Sequence, residues 1–314
     1  MSRVRNCRVS VIITTYYRNS GLRRALDAVL SQSHEEVEII VVDDSGETYA
    51  KRVIEKYRDI QYLHHEVNRG QIAAWETGLE AASGEFVQLH DDDDILSPEK
   101  FAQQLEVFSQ NPKVGVVYSG VRHPNGAEFL PKPHVRGNVL EAALTVNKGG
   151  NEIYPCYTTS MLIRKTELER IVPIKRWPAG TDTALVIELA SQTHFDSVDE
   201  IHVGRNPGEE KSVSTVAFQW EQRRKQLHYY DDRFDDTKTS LKTRSLANVS
   251  YLLGHKRLEE NVWSWQAIKE FLRAIHYSRS IDLVFIGSLF LSIFGRPGQQ
   301  FGRFIAKRVC FDNI

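Results

Sequence analysis

The chain has 314 residues, 41% of them hydrophobic and 26% charged, with a formal net charge of −1. That length supports one large domain plus an appendage, and a near-neutral balance without a basic stripe and interleaved aromatics excludes a general nucleic-acid binder. Cys7, Cys156 and Cys310 are odd in number and far apart, so they form neither a disulfide framework nor a zinc signature, as expected of a protein in a reducing cytosol.

Met1-Ser2-Arg3-Val4-Arg5-Asn6 is polar and lacks the apolar core of a signal peptide, which adds to the expectation of a cytoplasmic location. Val9-Ser10-Val11-Ile12-Ile13-Thr14 is β-branched and bounded by polar residues, the pattern of a buried strand. Asn19-Ser20-Gly21 offers a cap for a helix whose apolar positions Leu22, Ala25, Leu26, Val29 and Leu30 follow the i, i+3, i+4, i+7, i+8 rule. A second apolar run, Val37 to Val42, ends in Asp43-Asp44-Ser45-Gly46. Helix 47–58, strand 60–64, helix 71–82, strand 85–90, helix 98–110 and strand 114–118 complete the alternation. Strands without polar alternation, separated by amphipathic helices, predict an α/β fold with a mostly parallel sheet covered on both faces.

In such sheets ligands bind outside the carboxyl ends of the strands. Three polar clusters fall at those ends: Thr14-Thr15-Tyr16-Tyr17-Arg18, Asp43-Asp44-Ser45, and Asp91-Asp92-Asp93-Asp94. Four adjacent carboxylates repel one another, so gathering them is useful only when something positive arrives. In an extended segment Asp91 and Asp93 point to one side, where they suit a hard cation such as Mg²⁺ or Mn²⁺ that completes its shell with water and phosphate oxygens. Taken alone, the run fits a charged helix start equally well, with Ser97 as cap and Pro98 in the first position. An EF-hand loop is excluded, because counting from Asp91 places Leu96 where Gly is needed and Ala102 where Glu is needed. No glycine-rich dinucleotide fingerprint or P-loop occurs, so a bound phosphate would need a metal for most of its positive charge. His64, His65 and His90 read as surface histidines on strand ends, not as a transition-metal cluster.

Thr14-Thr15-Tyr16, Val41-Val42-Asp43-Asp44-Ser45, Asn68-Arg69-Gly70, Ala81-Ala82-Ser83-Gly84-Glu85 and Asp91-Asp92-Asp93-Asp94 together resemble, in order and spacing, the motifs of family 2 glycosyltransferases. The resemblance covers roughly residues 8–215. It implies the GT-A (Rossmann-like) fold, a nucleotide-diphosphate sugar donor with UDP-sugar the expected choice, Mn²⁺ or Mg²⁺ as cofactor, and inversion at the anomeric centre. The nucleotide would meet Thr14, Thr15, Tyr16, Arg18, Asp43, Asp44, Asn68, Gly70, Asp91 and Asp92. Asp91-Asp92-Asp93 would be the D-x-D motif, with Asp93 and Asp91 as metal ligands. Tyr157 to Arg164 would form a strand lining the acceptor side. Thr181-Asp182 stands where the family has its Glu-Asp pair, making Asp182 the implied catalytic base. Read by itself, Asp182 is also a fitting cap for an apolar helix over 183–191. Arg205, followed by Asn206-Pro207 in place of the family's Arg-x-His, could reach a phosphate, and Trp75-Glu76 stands where relatives often have Arg-Asn.

The expected domains are a catalytic domain over 1–215, divided into a nucleotide-sugar half of about 1–120 and an acceptor half of about 121–215, and a helical region over 216–314. Ile281 to Phe294 is the most apolar stretch, too short to span a bilayer. Arg273 and Arg279 before it, and Arg296, Arg303, Lys307 and Arg308 after it, would let 281–308 lie on an anionic membrane surface. Packing on the catalytic domain or on a homodimer partner accounts for it equally well. The acceptor would be a glycan or lipid-linked hydroxyl. Two other functions fit less of the chain: a catalytically inactive nucleotide-sugar-binding or scaffold module, and a metal-dependent phosphatase. The phosphatase motif would follow the first strand, and Ile95 occupies its Thr position.

Overall fold

The computed structural model describes residues 7–205, 216–234, 239–278 and 281–301. The N-terminal hexapeptide, Asn206-Pro207, Arg279, Arg303, Lys307, Arg308 and Cys310 lie outside the described residues. The described chain divides into two compact units: 7–143, 153–176 and 181–205 form the first, and 144–152, 177–180 and the helices from 216 onward form the second.

The first unit follows the expected α/β alternation. β1 (Val9–Thr15), α1 (Asn19–Leu30), β2 (Val37–Asp43), α2 (Lys51–Ile54), β3 (Ile60–His64), α3 (Gln71–Ala81) and β4 (Phe86–Asp91) are followed by β5 (Asp94–Leu96), α4 (Lys100–Gln110), β6 (Val114–Arg122) and β7 (Glu128–Phe129). After α5 (Leu140–Leu144), and after the short pair β8 (Val146–Asn147) and β9 (Gly150–Asn151) that belongs to the second unit, come β10 (Met161–Arg164), α6 (Lys165–Glu169), α7 (Thr181–Ala190) and β11 (His194–Arg205). The nine-stranded sheet runs β3-β2-β1-β4-β10-β6-β11-β5, with β7 on the outer part of β6. β1 to β4 are parallel, β10 is antiparallel to both β4 and β6, and β11 is parallel to β6. The carboxyl ends of β1, β2, β4, β6 and β11 therefore share one edge.

Every residue of β1 is buried, as a central strand with both faces covered requires. α1 buries Leu22, Ala25, Leu26 and Val29, four of the five expected positions, whereas Leu30 at its end is 54% exposed. Phe86, Phe101 and Phe108 are buried to 1% or less, each contributing about 1.5–3 kcal/mol of apolar burial. α3 approaches β1 so closely that a Cβ on Gly78 would lie 2.3 Å from the Ile12 Cγ2 atom, so only glycine fits there.

Three expectations are corrected. Helix 47–58 shrinks to α2, because Thr48 takes a positive φ of 53° and the Ala50 amide is captured by Asp43. Asn19 does not cap α1; Arg18 occupies that position and Asn19 donates to the Tyr49 carbonyl (3.2 Å). The strand expected over 157–164 begins instead with a 3₁₀ turn, Thr158–Ser160, closed by the Ser160 hydroxyl accepting from the Tyr157 amide (3.0 Å).

The second unit is helical, with α8 (Val216–Tyr229), α9 (Thr239–Glu260), α10 (Trp265–Ser278) and α11 (Leu283–Ser292). Asp282 caps α11 by accepting from the Val284 amide (2.9 Å), and Lys148 pairs with the same carboxylate (2.8 Å). Among the described residues no helix is long and apolar enough to cross a membrane.

Candidate active site

β1, β2 and β4 end side by side, with Thr15 opposite Asp43 and Thr14 opposite Asp91. The backbone leaves β4 at Asp91, turns through Asp92 and Asp93, and re-enters the sheet as β5 at Asp94. The extended geometry expected for 91–93 is thus replaced by a reversal. The reversal still brings carboxylate oxygens of Asp91, Asp93 and Asp94 within 4.8 Å of one another, which adds Asp94 to the pair expected from sequence. Nor does the acidic run cap a helix. β5 intervenes, α4 begins at Lys100 behind Glu99, and the Ser97 hydroxyl is hydrogen-bonded to His202 Nδ1.

Asp92 stands outside that trio. Its buried carboxylate accepts from the Thr15 hydroxyl (2.7 Å) and pairs with Arg18 (3.3 Å), and the same Arg18 nitrogen reaches Asp93 (3.1 Å). Gln71, at the first turn of α3, donates to Asp91 (2.7 Å). On the far side, Tyr157 donates to Asp94 (2.8 Å), and Arg205 lies 3.8 Å from Asp94 with its guanidinium over the Tyr157 ring. Helix α1 is pressed against this tip: a Cβ on Gly21 would lie 2.4 Å from the Asp92 carbonyl oxygen.

The electrostatics follow from the crowding. Half-buried Asp91 is pushed well above the usual carboxylate range, by desolvation first, then by Asp182, Asp94, Asp93 and Asp92. Burial likewise pushes Asp92 and Asp94 up to about 6, against the opposing pull of Thr15 and Arg18 on the former and of Arg205 on the latter. Asp182, in the first turn of α7, is raised by burial and held back by Arg205 and by the Thr158 hydroxyl, which donates to it (3.3 Å). Asp182 thus has the largest electrostatic effect on Asp91 of any carboxylate and is hydrogen-bonded to another element. An all-oxygen trio short of positive charge fits a hard divalent cation: Asp91, Asp93 and Asp94 are the residues that could hold one.

Asp43 and Asp44 are also at this edge, but their oxygens hold the surrounding loops. Asp43, fully buried, accepts from the Ser45 amide (3.0 Å), the Ala50 amide (2.8 Å) and the Tyr62 hydroxyl (2.8 Å). Asp44 accepts from the Arg69 amide (2.8 Å), the Gly70 amide (2.7 Å) and His65 Nδ1 (2.6 Å), with His65 Nε2 hydrogen-bonded to the Thr77 hydroxyl. Gly70 takes φ +84° as the loop enters α3, and Asn68 is exposed on that loop. Thr14 is buried, whereas Tyr16 is 51% exposed and packs edge-on against Tyr17, which packs against Tyr49.

The histidines require correction. His64 is exposed as expected, but His65 is buried beside Asp44 and His90 is wholly buried. Burial and the neighbouring Lys100 push the His90 pKa down to about 3, keeping the imidazole neutral. Lys100 is itself buried, bonded to Gln88 and Gln104, and those amides hold the carbonyls of Thr159 (3.1 Å) and Ser160 (2.9 Å).

Gln71, Tyr157 and Thr158 touch the acidic groups; the sequence places Tyr157 and Thr158 on the acceptor side and does not single out Gln71. Gln71 was signalled only by its place just after the Gly70 loop. The bonds of Tyr157 to Asp94 and of Thr158 to Asp182 come from a 3₁₀ turn where the sequence predicts a strand.

The profile of glycosyl transferase family 2 matches residues 10–171, more than half of the chain. An uncharacterized glycosyltransferase of Nostoc sp. is 29% identical over 188 residues, covering 57% of this chain and 58% of the relative. A poly-beta-1,6-N-acetyl-D-glucosamine synthase of Staphylococcus epidermidis is 30% identical over 127 residues, or 40% of this chain and 31% of the synthase. The chain therefore spans less than two thirds of either relative. Among solved structures, S. aureus TarS 1-349 in complex with UDP-GlcNAc superposes with a TM-score of 0.58 at 15% identity, covering 87% of this chain and 89% of that one. The mannosyltransferase PcManGT from Pyrobaculum calidifontis, in complex with GDP-Man and Mn²⁺, gives 0.56 at 16% identity, covering 94% and 83%. These likenesses establish the GT-A fold. With the profile match spanning β1 to β10 and the acidic tip, the chain belongs to glycosyl transferase family 2.

Proposed function

We propose that this chain is a metal-assisted, inverting glycosyltransferase. It moves a sugar from a nucleotide-diphosphate donor, a UDP-sugar, to a hydroxyl of a glycan or lipid-linked acceptor. The observation that supports the reading is that Asp182, on α7, acts electrostatically on Asp91 of the trio Asp91, Asp93 and Asp94. In-line displacement needs a base on one side of the reacting carbon and charge neutralisation on the other. A single carboxylate cannot serve both ends, and here the two functions fall on different elements, α7 and the β4–β5 turn.

Asp91 and Asp93, joined by Asp94, would hold Mn²⁺ or Mg²⁺, whose chemistry when bound is to offset the negative charge of the departing diphosphate. The protein's own groups do the rest. Arg18, 30% exposed at its side chain, faces the same place and can pair with phosphate once a cation competes for Asp93. Thr14 and Thr15 set the floor of the nucleotide side, and exposed Tyr16 offers a ring face to a base. Asp43 and Asp44 act on the nucleotide through the loops they brace, which bring Asn68 and Gly70 to its edge. Asp182 takes the proton from the attacking hydroxyl, an effect typically worth 10²–10⁴-fold, while Thr158 orients its carboxylate. Arg205 lies near both Asp94 and Asp182 and can meet a phosphate oxygen.

Similarity to enzymes solved with UDP-GlcNAc and with GDP-Man and Mn²⁺ supports the donor class. The decisive variant is Asp182→Asn. It should abolish sugar transfer while leaving Mn²⁺-dependent UDP binding intact. Full transfer activity would remove Asp182 as base, and activity absent from the wild type would favour a nucleotide-sugar-binding module instead.

A further inference from the structure

The carboxyl edge of the sheet carries a second aromatic group that the transfer chemistry leaves unused. β6 ends in a tight reversal, closed by the Gly126 amide on the His123 carbonyl (2.9 Å) and the His123 amide on the Ala127 carbonyl (2.8 Å), with Gly126 at φ +82°. β7 then returns antiparallel, pairing Phe129 with Val121. The reversal folds three rings together. Ring centres of His123 and Phe129 are 4.9 Å apart and those of Phe129 and Tyr154 are 5.1 Å apart, while His123 Nε2 is hydrogen-bonded to the Tyr154 hydroxyl. Phe129 remains 39% exposed and the adjoining Leu130 is 51% exposed.

This cluster is joined to the acidic site. Arg205 acts on both His123 and Tyr154, and the same guanidinium lies over Tyr157 and beside Asp94. Its position in the sheet is equally specific. In the order β2-β1-β4-β10-β6 the acidic tip ends β4, the Tyr16–Tyr17–Tyr49 group follows β1 and β2 on one side, and the His123–Phe129–Tyr154 group follows β6 on the other. If the nucleotide occupies the β1–β2 side, the β6 side is left for the second substrate.

We propose that Phe129, backed by Tyr154 and His123, is a stacking platform for a pyranose ring of the acceptor. The inference rests on the transfer reading and gives its acceptor a place and a chemical class. A pyranose has one face of C–H groups and a rim of hydroxyls. The negative face of an aromatic ring attracts the former. Here the ring is bordered by partners for the latter, the Tyr154 hydroxyl and the His123 imidazole, while the Arg122–Glu128 ion pair takes the opposite face of the hairpin. One exposed ring with a short polar rim is too little for a protein partner, whose interface needs about 800 Å² from each side. Such a patch matches the footprint of a single sugar.

The test is saturation-transfer NMR on the full chain with UDP and Mg²⁺ present, irradiating aromatic protons. The probes are the methyl glycosides of cellobiose, chitobiose, mannobiose and galactobiose. At least one should receive saturation at its ring C–H protons. In Phe129→Ala that signal should fall by about five-fold, whereas Phe129→Trp should retain it, and UDP signals should be unchanged in both. The inference is overturned if the wild type saturates none of the four, if Phe129→Ala keeps the signal, or if Phe129→Trp loses it along with Phe129→Ala. A wild type that binds no UDP removes the transfer reading itself, and this inference with it.

Discussion

Gly21→Ala places a methyl group where α1 meets the acidic tip. Its Cβ would sit 2.4 Å from the Asp92 carbonyl oxygen, whereas a carbon–oxygen contact needs about 3.3 Å. The two elements must separate by about 0.9 Å, and the obstructing atom is backbone, so no side-chain rotation relieves it. Overpacking of this kind costs about 1–3 kcal/mol. Gly78→Ala is the matched control, because its Cβ would lie 2.3 Å from an Ile12 methyl on the interior of β1, away from the carboxylates. Both variants should lose comparable stability in urea. Only Gly21→Ala should also displace the turn carrying Asp93, and ligand-to-metal geometry tolerates little displacement. Calorimetric titration of UDP in the presence of Mn²⁺ should therefore show at least about ten-fold weaker binding for Gly21→Ala, equivalent to ~1.4 kcal/mol, and near-normal binding for Gly78→Ala. Equal nucleotide affinity in the two folded variants would refute the claim that α1 positions the metal-binding turn.

Asp44→Asn leaves one acceptor oxygen for the Arg69 and Gly70 amides and for His65, so the loop ahead of α3 should loosen. Losing a charge-assisted bond costs about 1.5–3 kcal/mol, and hydrogen exchange at the Arg69 and Gly70 amides should accelerate by about ten- to hundred-fold; unchanged protection would show that Asp44 does not hold the loop. A membrane surface as partner of 281–308 makes Leu283, Val284, Ile286 and Phe290, all at least 41% exposed, the contacting side chains. Replacing Leu283 and Phe290 with Ser should abolish sedimentation with anionic vesicles, and unchanged sedimentation would remove α11 as the contact.

The parallel strands were legible because burial on both faces leaves an unbroken apolar run, and β1 to β4 match the expected spans to within a residue or so. The helix expected over 47–58 was not, because its register depends on Asp43 capturing the Ala50 amide, a contact between residues seven apart that no periodicity records. Clustering of polar residues at strand ends was legible as well, and the structure brings the ends of β1, β2 and β4 side by side. The clustering could not show that Asp94 joins Asp91 and Asp93, because that follows from a reversal at Asp92–Asp93 where an extended segment was expected. His65 and His90 are buried where the sequence predicts surface groups, because polarity alone does not report exposure. His65 is bonded on both ring nitrogens, and His90 is buried in neutral form. The resemblance points to Asp182, but its bond to Thr158 depends on a 3₁₀ turn where the sequence predicts a strand.

The central claim is that the turn after β4 binds a divalent cation that carries the diphosphate of a nucleotide sugar. The most direct measurement is calorimetry of UDP binding with and without Mn²⁺, for the wild type and for Asp93→Asn. The account predicts tight uptake that requires Mn²⁺ and is lost in the variant. Manganese-independent binding, or Asp93→Asn binding as the wild type does, would contradict it.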